Sequence, residues 1–112
     1  MSKYRLLRDA VSAESNIELN EAPAATDTQI LLAHSPRYLQ SVIQGELTPK
    51  EQREIGFPWS PEMVERSRRS VGATLAACEA AGVDGISVNL AGGTHHAYRE
   101  RGSGFCVFND AA

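Results

Sequence analysis

The sequence predicts an α/β fold in which helices cover a parallel β-sheet, and three observations carry that prediction. A long helical pattern runs over residues 60–81, a compact apolar run follows at 85–90, and a glycine-rich loop opens directly after it. Helix, strand and loop in that order build parallel sheets, and ligands gather at the carboxyl ends of such strands. With 112 residues the chain is long enough for one modest domain and too short for two.

The elements follow in order. Tyr4, Leu6, Leu7, Ala10 and Val11 recur at helical spacing, which predicts a helix over 3–13. In "NIELNEAPA", Ile17 and Leu19 alternate with polar residues before Pro23, the pattern of a short strand. "TDTQ", from Thr26 to Gln29, is a capping box in which hydroxyl and amide side chains each satisfy the other residue's backbone N–H. Ser35-Pro36, Thr48-Pro49 and Ser60-Pro61 each place a capping side chain before a proline whose missing N–H costs nothing at the first helical position. The last of these opens the long helix, where Val64, Val71, Leu75 and Cys78 form the apolar stripe and Gly82 supplies the stop. Ile86, Val88 and Leu90 then make residues 85–90 a buried parallel strand.

Composition excludes several classes of function. Hydrophobic residues make up 42% of the chain and the net charge is -3, which suits a globular fold. Arg66, Arg68 and Arg69 share their stretch with Glu62 and Glu65, so they read as a solvated helix face and not as a nucleic-acid surface. Cys78 and Cys106 form no C-x-x-C pair, and Cys78, in an alanine-rich run, reads as a small core residue. The N-terminus lacks the apolar stretch of a signal peptide and no run is long enough to span a membrane, so a cytoplasmic protein is expected.

The chemistry concentrates in "NLAGGTHHAYRERGSGFCVFNDAA". Gly92 and Gly93 permit backbone conformations with positive φ, or close approach by another group. His95 and His96 are adjacent, a placement in which side chains diverge in most backbone conformations and do not easily chelate one metal, and the spacing of a helical zinc pair is absent. Two neighbouring imidazoles are better suited to dividing proton-transfer roles. Taken alone, a histidine pair in a polar loop is more often solvated than catalytic. Here "GSGFC" adds an aromatic, Phe105, beside them, the apolar wall that a pocket for an uncharged substrate needs.

The run "GGTHHAYRERGSGFCVFNDAA" resembles the signature of the zinc-dependent histone deacetylase family, which includes acetoin-utilisation proteins and acetylpolyamine amidohydrolases. Gly92, Gly93, His95, His96, Gly104, Phe105, Cys106, Asn109 and Asp110 carry the match, and "HSPRYL" and "FPWSPEMVERSRRSVGATLAA" extend it over nearly the whole chain. The wording is similar to the bacterial, class IV-like branch. The resemblance implies a three-layer arginase/deacetylase-like fold with a parallel sheet, of which residues 1–112 would be a single N-terminal segment truncated at both ends.

It also implies metal-assisted amide hydrolysis of acetyl-lysine or a small acetylated amine. His96 would be the main general acid–base, His95 its electrostatic partner, and Gly104 and Phe105 the lining of the acyl channel. Cys106 would pack near the site, His34 would buttress a helix start, and Asp110 would support the site without ligating metal. The family holds zinc with an Asp-x-His pair and a further aspartate. Asp9, Asp27, Asp84 and Asp110 are the only aspartates here and none begins Asp-x-His, so no zinc is expected in this chain and the isolated chain is expected to be inactive. The alternative is a non-catalytic α/β domain that works through self-association or partner binding. With most of its sheet missing, the chain is expected to form a homo-oligomer.

Overall fold

The computed structural model describes residues 2–112, and the chain forms five helices: α1 (Ser2–Ser12), α2 (Asp27–Ile30), α3 (Pro36–Gln44), α4 (Pro49–Ile55) and α5 (Pro61–Asp84). Each predicted cap is in place. The Thr26 hydroxyl accepts from the Gln29 N–H, Ser35 from Tyr38, Thr48 from Glu51 and Ser60 from Met63, and prolines occupy the first position of α3, α4 and α5. At the other ends, Gly45, Gly56 and Gly85 close α3, α4 and α5 in the left-handed region.

The core lies between α2, α3, α4, the first half of α5 and the C-terminal segment. Ile30, Tyr38, Val42, Ile55, Val64, Val71, Val107 and Phe108 form it. Two buried polar atoms are satisfied across it, the Tyr38 hydroxyl donating to the Val107 carbonyl at 2.7 Å and Trp59 Nε1 to the Val42 carbonyl at 2.7 Å. The segment before α2 is strapped onto α5. A Cβ at Gly72 would collide with the Pro23 carbonyl, so only glycine permits this approach. Arg68 reaches the Ala25 carbonyl at 3.1 Å and Asp27 at 2.5 Å, and Arg69 donates to the Ala22 carbonyl at 2.7 Å. These arginines therefore act as clamps, where the sequence suggests only a solvated face.

Three expectations are corrected. Helix α5 continues past Gly82 to Asp84, because one interior glycine costs only about 1 kcal/mol and Gly85, at φ 88°, supplies the left-handed cap. Cys78 is exposed and not in the core, since α5 outruns the elements that cover its first half. The helix expected over 3–13 forms as α1, with Leu6 and Leu7 exposed. Neither 17–19 nor 85–90 is a strand, and among the described residues the single β-bridge joins Ser103 and Cys106, so no parallel sheet is seen there. A strand persists through ladder hydrogen bonds to its neighbours. Residues 85–90 meet no second strand here, and Ile86 and Val88 face solvent.

Candidate functional site

The loop that carries the paired histidines is tied down from below by a buried polar knot. Asp110 Oδ2 accepts from the Thr74 hydroxyl of α5 at 2.5 Å and from the Gly93 N–H at 2.7 Å. Asn89 Nδ2 donates to Thr74 Oγ1 at 2.9 Å and to the Ser70 carbonyl at 3.1 Å, while its Oδ1 takes the Ala91 N–H at 3.0 Å. Gly92 lies against this knot. A Cβ there would run into the Asn89 amide and come within 2.6 Å of Thr74 Oγ1 and 2.7 Å of Asp110 Oδ2. Gly92 thus serves close approach to a carboxylate and two polar side chains, whereas Gly93 has open space at its Cβ position and adopts φ 97°.

From above, Asn109 holds the loop. Its Nδ2 donates to the carbonyls of His95 at 3.3 Å and Ala97 at 3.2 Å, so it brackets His96. Its own backbone N–H donates to His34 Nε2 at 3.0 Å. His34 is therefore buried behind the loop, just before the Ser35 cap of α3, and its ring packs against Tyr38 and Phe108.

The sequence-predicted site residues come together in part. The His95 and His96 rings lie with centroids 4.4 Å apart, both exposed, and His95 Nδ1 is 3.3 Å from the Gly93 carbonyl. Gly104 sits on His96: a Cβ at Gly104 would be 3.3 Å from His96 Cβ and Cγ. Phe105 is 62% exposed and adopts φ 63°, a conformation that costs a non-glycine residue about 1–3 kcal/mol. Two hydrogen bonds to the end of α4 hold that turn, Gly104 N–H to the Glu54 carbonyl at 3.0 Å and Phe105 N–H to the Ile55 carbonyl at 2.7 Å. The result presents the Phe105 ring beside Phe57, with centroids 5.2 Å apart.

An open groove of about 430 Å³ begins at these rings and is lined by Tyr4, Phe57, Arg66, Thr94, Phe105 and Val107 among others. The histidine rings are not among its walls. Cys106 is buried under the turn with its Sγ 3.3 Å from the Phe108 carbonyl, a packing position out of reach of the groove. Phe57, Asn89 and Thr74 are site residues that sequence reasoning missed. Asn109 and Asp110 were legible as a pair, though not what they hold.

Among the described residues no three side chains of His, Cys, Asp or Glu converge, and the His95 and His96 rings lie tilted at 38° to one another. These residues do not fit a catalytic zinc, which takes three protein ligands.

A protein-family model described as the histone deacetylase domain matches residues 1–112. The chain is 43% identical over 115 residues to an uncharacterized protein of Picosynechococcus sp., covering 100% of this chain and 38% of that protein. It is 32% identical over 119 residues to the acetoin utilization protein AcuC of Bacillus subtilis, covering 97% of this chain and 30% of that protein. Among solved structures, an HDAC homolog from Aquifex aeolicus superposes with a TM-score of 0.76 at 32% identity, covering 98% of this chain and 32% of the other. The chain thus spans about a third of the length of the relatives it matches.

Proposed function

The chain belongs to the histone deacetylase family, and from that premise we propose that it supplies the proton-transfer loop and acyl-channel wall of a deacetylase acting on acetyl-lysine or a small acetylated amine. The family's fold is the arginase/deacetylase-like one, and in the family zinc supplies the Lewis acid and the activated water. The zinc ligands have no counterpart in these 112 residues, so no step is routed through a metal here. What this chain's own residues contribute is proton handling and shape. His96, bracketed by two held carbonyls, takes and returns the proton as general acid–base, and the neighbouring His95 ring has an electrostatic role. Gly104 gives the acyl chain room against His96, and Phe105 provides an apolar wall.

The observation that carries this reading is the contact of Gly104 with His96, which brings the two halves of the motif, separated by seven residues, to one surface. A reducing cytoplasm suits the two thiols, since Cys78 and Cys106 are both free, and no helix among the described residues is long and apolar enough to cross a membrane.

The test uses a fluorogenic acetyl-lysine peptide and an acetylpolyamine. The 112-residue chain alone is expected to show no turnover with or without zinc. Joined to the remainder of the Picosynechococcus relative, the same residues are expected to support hydrolysis, and His96→Ala is expected to lower kcat by about 10²–10⁴-fold. Turnover in the joined protein that His96→Ala leaves intact overturns the assignment. A second reading, a non-catalytic domain acting through self-association or partner binding, is favoured by the exposure of Val83, Ile86 and Val88 at 87%, 79% and 73%. It predicts association with no hydrolysis even in the joined protein.

A further inference from the structure

We propose that His34 and Asn109 are positioning residues that set the paired-histidine loop, with the His34 ring serving as a hydrogen-bond acceptor and not as core filler. This rests on the reading of His95 and His96 given above. His34 is 1% exposed, and burying an imidazole where an apolar side chain would fit costs free energy unless its polar atoms are used. One of them is used. Nε2 takes the Asn109 backbone N–H at 3.0 Å, which requires a neutral ring with its proton on Nδ1. Nδ1 lies near the backbone of Tyr98 and Arg99 without a formed hydrogen bond.

The ring itself cannot drift. Its centroid is 5.4 Å from that of Tyr38 and 5.5 Å from that of Phe108, and Tyr38 is pinned by its own hydroxyl to the Val107 carbonyl. A fixed acceptor thus fixes the Asn109 peptide, and the two amide protons of the Asn109 side chain carry that position to the carbonyls of His95 and Ala97 on either side of His96. The path from core to His96 consists of three hydrogen bonds, with no flexible side chain in it longer than asparagine.

Protonating His34 replaces the acceptor with a second donor facing a donor, so the latch needs the neutral ring. The charged or titratable groups around it are Tyr38 from α3, Arg99 from the loop, and Asp110, which lines the same cavity of about 100 Å³.

Two substitutions separate acceptor from filler. His34→Phe keeps an aromatic ring between Tyr38 and Phe108 and removes the acceptor, whereas His34→Gln keeps an acceptor and removes the ring. Amide exchange followed by NMR on the 112-residue chain is the readout, together with the His95 and His96 ring Cε1–H resonances. Asn109 N–H exchange is expected to accelerate at least about tenfold in His34→Phe, to stay near the parent rate in His34→Gln, and to carry the histidine resonances with it. Equal protection in His34→Phe and the parent overturns the proposal, as does loosening in His34→Gln as large as in His34→Phe. Should His34→Phe not fold, Asn109→Ala carries the test. It removes the reach to His95 and Ala97, together with the Oδ1 acceptor of the Ala111 and Ala112 N–H groups at the chain end, and leaves the Asn109 backbone N–H on His34. It is expected to move the histidine resonances while the His34 resonances stay, and unmoved His95 and His96 overturn the proposal. None of these readouts is hydrolysis, so failure of the deacetylase reading and failure of the latch are seen separately.

Discussion

A buried imidazole that must stay uncharged makes this fold sensitive to mild acid. Burial, the largest influence, lowers the His34 pKa from 6.5, the nearby backbone of Arg99 and Tyr98 pulls the other way, and the Arg99 charge adds to the lowering. As pH falls, the unfolded chain takes up the proton first, at 6.5, while the folded chain does not. The unfolded state then binds more protons, so stability declines from near pH 7 downward and levels off once the folded ring also protonates. Denaturant midpoints measured between pH 7.5 and 5 are expected to fall in the parent and to fall less in His34→Gln. A second single-residue effect is steric. Gly92→Ala drives a methyl group into the Asn89, Thr74 and Asp110 knot, and an overpacked site of this kind costs about 1–3 kcal/mol. A Gly93→Ala chain meets no neighbour within 4 Å, although its φ of 97° strains any side chain, so comparing the two by urea titration separates crowding from backbone strain.

At the level of elements, what sequence made legible was what is local. The caps at Thr26, Ser35, Thr48 and Ser60 need only their own next three residues, and all four form as read. Residues 85–90 were unreadable in the same way, because an apolar run becomes a strand only when a neighbour pairs with it. Cys78 fails for the related reason that a helical stripe is buried only as far as something covers it. The knot beneath the histidine loop joins positions 74, 89, 93 and 110, and no spacing rule connects residues so far apart in sequence. The histidine motif survives because it is contiguous. Caps can be graded by their surroundings. Ser60→Ala removes a single half-buried capping bond, from the Met63 N–H to the Ser60 hydroxyl, and is expected to cost about 1 kcal/mol. Ser35→Ala also breaks the 2.7 Å bond from the Ser35 hydroxyl to Glu100, in a residue 6% exposed, and is expected to cost about 2 kcal/mol. Thermal unfolding of the two variants side by side checks the order.

At the scale of the molecule, the surface is larger than a closed domain of this size requires. A folded monomer of 12.1 kDa exposes about 6,000 Å². This chain exposes 7352 Å², an excess of about 1,300 Å², and its radius of gyration of 14.8 Å exceeds the roughly 13 Å of a compact chain of this length. A contiguous stretch of sequence contributes to the apolar part of that surface where α5 outruns the core and in the segment that follows, at Val83, Ile86 and Val88. A standard interface removes about 800 Å² from each partner, so the excess is enough to support one. Expressed as these 112 residues, the chain is therefore expected to self-associate through this face at micromolar concentration, by strand pairing of residues 85–90 or by packing of the α5 end. Replacing Ile86 and Val88 by aspartate puts two charges on the face without touching the core, and is expected to yield a monomer with unchanged helix content. Multi-angle light scattering reads the result directly. A parent chain that elutes as a single 12.1 kDa species across the micromolar range would mean that the exposed face needs no partner, and the area argument would fail.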